Sequence, residues 1–76
     1  MIKELVAYIV KQLVNHPDDV HIAVDTSGER NVVEITVNEQ DRGKVIGREG
    51  QIIKSIRMVV NAASTDNKKT AVDVAR

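Results

Sequence analysis

Two apolar stripes of helical period are joined in this chain by only four residues, Gly47-Arg48-Glu49-Gly50. Downstream, Ile52, Ile53, Ile56, Val59, Val60 and Ala63 recur with the spacing of one helix face. Upstream, Asn38 is a helix N-cap residue, and a short helix is expected from it to about Val45. A connection this short makes the two helices neighbours. Glycine costs about 0.5–1 kcal/mol inside a regular element, yet two of the chain's four glycines stand here, so the turn requires backbone that other residues do not supply.

The rest of the chain supplies a small sheet and one more helix. Ile2, Leu5, Val6, Ile9, Val10, Leu13 and Val14 mark an amphipathic helix that Pro17 ends. Val20, Ile22 and Val24, then Val33, Ile35 and Val37, alternate with outward residues on either side of the turn-rich "TSGERN" and predict two half-buried strands. "STDNKK" reads as a loop, and Val72 and Val74 as a last strand. The order is α-β-β-α-α-β, an α+β class. Each strand offers one apolar row and each helix one stripe, so a three-stranded sheet with three helices packed on one face is expected, with residues 1–76 forming a single domain.

Composition then narrows the function classes. Without cysteine there is neither a disulfide framework nor thiol chemistry, and His16 and His21 are too few for a zinc cluster. Lys3, Glu4 and Lys11 break up the N-terminal stripe, which argues against a signal peptide or a membrane span and for the cytoplasm. Asp25, Glu29, Glu34 and Asp73 show no paired-carboxylate spacing, so no enzyme, cofactor or metal is expected. Tyr8 is the sole aromatic and sits opposite the stripe of its helix, and His21 alternates with inward residues, so both are expected at the surface. Nucleic-acid binding by stacking bases on aromatic side chains is thereby excluded.

The formal charge is zero, but it is unevenly spread. Residues 42–57 carry Arg42, Lys44, Arg48, Lys54 and Arg57 against Glu49 alone, a net +4, which leaves −4 on the other 60 residues. A cationic segment on an acidic body attracts phosphates locally. Its centre is the glycine turn, where the second helix presents free N–H groups and the positive end of its dipole. With Arg48 at the tip, Lys54 one turn on, and Ile46 and Ile53 beside an apolar groove floored by the preceding strand, the arrangement suits a sugar-phosphate backbone with its bases in the groove. Lys68 and Lys69 are candidates to extend the patch. A bare G-x-x-G arises by chance about once in three chains of this length. The informative feature is the full spacing Val45-Ile46-Gly47-x-x-Gly50-x-x-Ile53-x-x-Ile56 inside a cationic segment, between two helices.

"VIGREGQIIKSIR", residues 45–57, resembles the signature of the KH domain, and the element order resembles its type II topology across essentially the whole chain. "LVNHPDDV" resembles the matching stretch of small bacterial proteins made of one KH domain. The resemblance implies cytoplasmic binding of single-stranded RNA, with the glycine loop clamping about four nucleotides, and assembly as a homodimer or with another KH-domain protein. Carried over by position, Gly47, Arg48, Glu49 and Gly50 form the loop, followed by Gln51, and Ile46, Ile53 and Ile56 match the family's apolar positions. Family loops often keep a basic residue after the second glycine, where this chain has Gln51. Glu49 also places an acid beside the phosphate site, so modest affinity is expected.

Two further readings stand beside this one. The chain can serve chiefly as a dimerisation adaptor with weak or vestigial RNA affinity. Gln51, Ser55, Met58 and Ala62 form an uncharged stripe at spacings of 4, 3 and 4, the seam of a helix pair. Two helices joined by a glycine turn also fit a helix-turn-helix DNA reader, but the strands would then be accessory and the second helix has only Lys54 near its N-terminus.

Overall fold

Helix α1 covers Ile2–Leu13 and buries Val6 and Val10 completely, with Ile2, Ala7, Ile9 and Leu13 half-buried around them. The computed structural model describes residues 2–64 and 68–75, and the middle of the loop expected over 64–69 lies outside them. The apolar stripe runs on to Val14, but the helix stops at Leu13. The next backbone donors are taken elsewhere: the N–H groups of Asn15 and His16 donate to the Asp41 carboxylate at 3.2 and 2.9 Å. Pro17 then opens a 3-10 turn, Pro17–Asp19, and Val20 is buried ahead of the sheet.

Strands β1 (His21–Asp25) and β2 (Asn31–Thr36) pair antiparallel, with Ile22 opposite Ile35 and Val24 opposite Val33. In β2 the alternation is complete: Asn31, Val33 and Ile35 are buried, and Val32, Glu34 and Thr36 face solvent. Val24 was expected inside but is 38% exposed. It lies at the far end of an edge strand, beyond the cover of the helices, so period-two pattern alone places it on the right face but not under cover.

A 3-10 turn, Glu39–Asp41, follows β2, and Asn38 caps it by accepting the Gln40 N–H at 2.9 Å. Helix α2 itself covers only Arg42–Ile46, later than the sequence suggested, because the first turn from Asn38 is 3-10. The tight turn Arg48–Gly50 leads to α3, Gln51–Ala63, and then to β3, Thr70–Val74. Strand β3 pairs parallel to β2, which requires a crossover; α2 and α3 provide it. The sheet order is β1-β2-β3 and the architecture is α+β, three helices with a three-stranded mixed sheet.

Side chains from all three helices meet the inward row of the sheet in one aliphatic cluster: Val6 and Val10, Val45, Ile53, Ile56 and Val60, with Ile22, Val33, Ile35, Val72 and Val74. Burying each contributes roughly 1.5–3 kcal/mol. The core arc of α3 is narrower than expected. Val59 is 45% exposed, Ala63 is exposed and Ile52 is half-buried. A third of a turn on either side of Ile53, Ile56 and Val60 the small sheet no longer reaches the helix.

The outer edge of β3 is not left open. Asn61 bonds both backbone groups of Thr70, accepting its N–H at 3.0 Å and donating to its carbonyl at 3.0 Å, and Arg57 Nη2 donates to the Val72 carbonyl at 3.0 Å. Edge strands invite unwanted pairing, and here two side chains of α3 occupy that edge.

Candidate nucleic-acid interface

The loop between α2 and α3 bends through three positions of positive φ. Gly47 has φ 78° and ψ 173°, Glu49 has φ 56° and ψ 26°, and Gly50 has φ 73° and ψ 18°. Gly47 N–H closes α2 on the Gly43 carbonyl at 2.9 Å, and Gly50 N–H bonds the Gly47 carbonyl at 3.1 Å. The two glycines are there for different reasons. A Cβ on Gly47 would lie 2.6 Å from Ile52 Cγ1 and 2.9 Å from the Ile52 backbone nitrogen, so the first turn of α3 packs directly on bare backbone. A Cβ on Gly50 would meet only Ile53 Cγ2 at 3.9 Å; there glycine serves the left-handed conformation alone.

Gly50 also stands at the N-cap position of α3 and offers no side chain to its first N–H groups. That leaves backbone donors and the positive dipole end facing the loop, a general setting for an anion. Arg48 and Glu49 are exposed at the tip, and Gln51 and Lys54 are exposed on the first turn of α3. Ile46 is half-buried beside the loop. Ile53 is a member of the core cluster at 9% exposure, so it can offer only its rim to a groove.

The five cations of the segment have separate fates. Arg48 and Lys54 point to solvent. Arg57 is held on the Val72 carbonyl, and Lys44 Nζ lies 3.4 Å from Asp41 Oδ1. Arg42 is half-buried against a shallow cavity of about 270 Å³ lined by Thr36, Val37, Glu39, Arg42 and Ala75, which lies at the opposite end of α2 from the loop. Lys68 Nζ donates to the Thr26 carbonyl at 2.7 Å. With Lys69 it stands beyond the C-terminal end of α3, whose 13 residues span about 20 Å, so neither extends the patch around the loop.

Asp41 is the residue that sequence reasoning missed. Its carboxylate is fully buried and accepts from two backbone N–H groups, those of Asn15 and His16, while His16 Nδ1 lies 2.9 Å from Oδ2. With Lys44 it joins the exit of α1 to the start of α2 and so fixes the helix that delivers the glycine loop. Burial pushes the carboxyl up, but the His16 contact and the backbone donors outweigh it and hold the group below its ordinary value. The available signal was an acid just before a helix that carries a lysine three residues on, a pattern too common to single out without knowing the burial.

Met58 is 73% exposed on α3, with Gln51, Ser55 and Ala62 exposed on the same side. Ser55 satisfies its own hydroxyl by donating to the Gln51 carbonyl at 3.0 Å. Val59 and Ala63, displaced from the expected core arc, widen this apolar surface. Tyr8 is 67% exposed and His21 is exposed, as their positions in the pattern required. Among the described residues no three His, Cys, Asp or Glu side chains gather as metal ligands, and no helix is long and apolar enough to cross a membrane.

Residues 3–75 match the family model described as KhpA/KhpB, KH domain. The RNA-binding protein KhpA of Clostridium perfringens is 47% identical over 73 residues, covering 95% of this chain and 97% of that one. The RNA-binding protein KhpA of Chlamydia muridarum is 44% identical over 95% of this chain and 94% of its own. The protein of the same name from Thermotoga maritima is 38% identical over 97% and 99%.

Proposed function

This chain belongs to the KH-domain family of KhpA and KhpB, and from that membership we infer that it is a bacterial RNA-binding protein rather than an enzyme, one that holds single-stranded RNA on the Gly47–Gly50 loop. The observation that carries the loop assignment is its bare backbone: Gly47 leaves no room for a side chain, Gly50 adds none at the start of α3, and Arg48 supplies the one full positive charge at the tip. One phosphate fits between the α3 N-terminus and Arg48, and Lys54 meets the next. Arg42, Lys44, Ile46 and Ile53 flank the path, and Gln51 stands where a further cation would strengthen it. In this reading residues 1–76 act as one KH domain in the cytoplasm, as a dimeric RNA chaperone or post-transcriptional regulator of the KhpA type. Pairing two weak sites raises avidity without new contacts.

The double variant Arg48→Asp with Glu49→Asp tests the loop. It turns a formally neutral tip into −2 where phosphate would sit, while Asp tolerates the positive φ at position 49 better than Glu does. Fluorescence anisotropy with a short single-stranded RNA should show affinity falling at least several-fold, with circular dichroism and melting temperature nearly unchanged. Undiminished binding would reduce the glycines to a helix connector.

A second reading rests on a different observation, the exposed Gln51, Ser55, Met58, Val59 and Ala62 surface of α3. It makes the domain an adaptor that pairs with itself or another KH-domain protein and leaves RNA contact to the partner.

A further inference from the structure

The shallow cavity at the start of α2 is not part of the loop and has its own chemistry. Arg42 Nε is shut away from solvent and makes no hydrogen bond with any described residue. Such orphan donors are rare in native structures and call for an explanation by strain, an ordered water or ion, or a bound partner. Glu39 lines the same cavity three residues earlier, yet it and Arg42 form no ion pair. Arg42 and the exposed Glu39 thus line one recess without an ion pair between them, while buried Val37 and half-buried Ala75 supply apolar wall. The volume of about 270 Å³ lies just below the range of small-molecule sites, about 300–1,000 Å³, and suits a single ring system.

Resting on the RNA reading above, we propose that this recess is a base-reading subsite selective for guanine. The guanidinium of Arg42 donates to the adjacent acceptors O6 and N7, the pairing that arginine geometry favours. The Glu39 carboxylate accepts from N1–H and the 2-amino group on the adjoining Watson–Crick edge. Adenine offers an amino group where Arg42 needs an acceptor. Cytosine and uracil, with one ring, cannot span both side chains. The distance is also suitable. Five residues of α2 separate the cavity from Gly47, about 7 Å along the helix, or about two stacked nucleotides at 3.4 Å each. A strand with its phosphate on the glycine loop therefore brings a neighbouring base to Arg42.

The test uses the intact protein and a short oligouridylate, with guanosine, adenosine or cytidine introduced singly along it, read by fluorescence anisotropy at fixed salt. Guanosine at one register should tighten binding at least about fivefold over oligouridylate. Arg42→Lys keeps the charge but not the planar fork, so whatever it does to oligouridylate binding, the ratio of guanosine-containing to plain oligouridylate affinity should fall to about one. Glu39→Gln should weaken the preference without weakening oligouridylate binding, and circular dichroism checks that both variants are folded. Equal binding of all four oligonucleotides, preference for another base, or a guanosine preference that survives Arg42→Lys would overturn the subsite and leave RNA binding standing. If no oligonucleotide binds, the RNA reading itself falls. The Arg42 Nε–H resonance titrated with guanosine and cytidine monophosphates then decides the recess alone: a shift with the first only supports it, and no shift or equal shifts overturn it.

Discussion

Replacing each loop glycine by alanine, one at a time, separates two positions that look equivalent in the G-x-x-G spacing. Gly47, at φ 78° and ψ 173°, occupies a region open essentially to glycine, and an alanine held there is strained by about 1–3 kcal/mol. Its Cβ would also sit 2.6 Å from Ile52 Cγ1 and 2.9 Å from Ile52 N. The second of these atoms is backbone in the first turn of α3 and cannot swing aside, so an overpacking cost of about 1–3 kcal/mol is added. The total for Gly47→Ala is about 2–6 kcal/mol, against a stability of about 4–11 kcal/mol expected for 76 residues. Gly50→Ala has a left-handed φ of 73° but only an ordinary contact at 3.9 Å, and its cost is about 1 kcal/mol. In a domain of this size each kcal/mol lowers the melting temperature by about 4–8 °C. Thermal and urea unfolding followed by circular dichroism should therefore show a loss of about 4–8 °C for Gly50→Ala and at least twice that, or no folded state, for Gly47→Ala. Losses equal within about 0.5 kcal/mol would refute the argument, because they would mean that the Ile52 contact relaxes freely and only the torsions count.

Three more outcomes follow from the same geometry. If Arg48 and Lys54 meet phosphates, with Lys44 as a third contact at most, the logarithm of the RNA association constant should fall with that of salt at about −1.4 to −2.1, and a flat dependence would remove the phosphate clamp. Met58→Asp should leave the fold intact, since Met58 is 73% exposed, and shift sedimentation from dimer to monomer; wild type and variant sedimenting as the same monomer would discard the α3 surface as an interface. Because the folded Asp41 carboxyl is held below its ordinary value near 3.8, its stabilisation is complete above that pH and is lost as pH falls through the lowered value. Asp41→Asn should accordingly melt lower than wild type at pH 7 and show a shallower further loss between about pH 4 and 2; parallel acid curves for the two proteins would show that Asp41 does not couple folding to protons.

What the sequence determines by itself is whatever repeats with a period or depends on a residue's own backbone. The α-β-β-α-α-β order, the inward row of Val33 and Ile35, the stripe of α1 and the turn at Gly47 and Gly50 all belong here, because side-chain direction alternates regularly in helix and strand and because only glycine lacks a Cβ. The extent of cover is a different matter. Val24 and Val59 fit their patterns and are still exposed, since whether an apolar residue is buried depends on how far a neighbouring element reaches across three-dimensional space. The same holds for charge. Five cations within 16 residues read as one patch, but the fold directs Arg57 to the Val72 carbonyl, Lys44 to Asp41 and Arg42 to its cavity, leaving Arg48 and Lys54 turned to solvent beside the loop. Asp41 is the clearest case: its partners Asn15 and His16 lie 26 and 25 residues away, and a contact of that separation is set by the packing of α1 on α2, which no local spacing encodes.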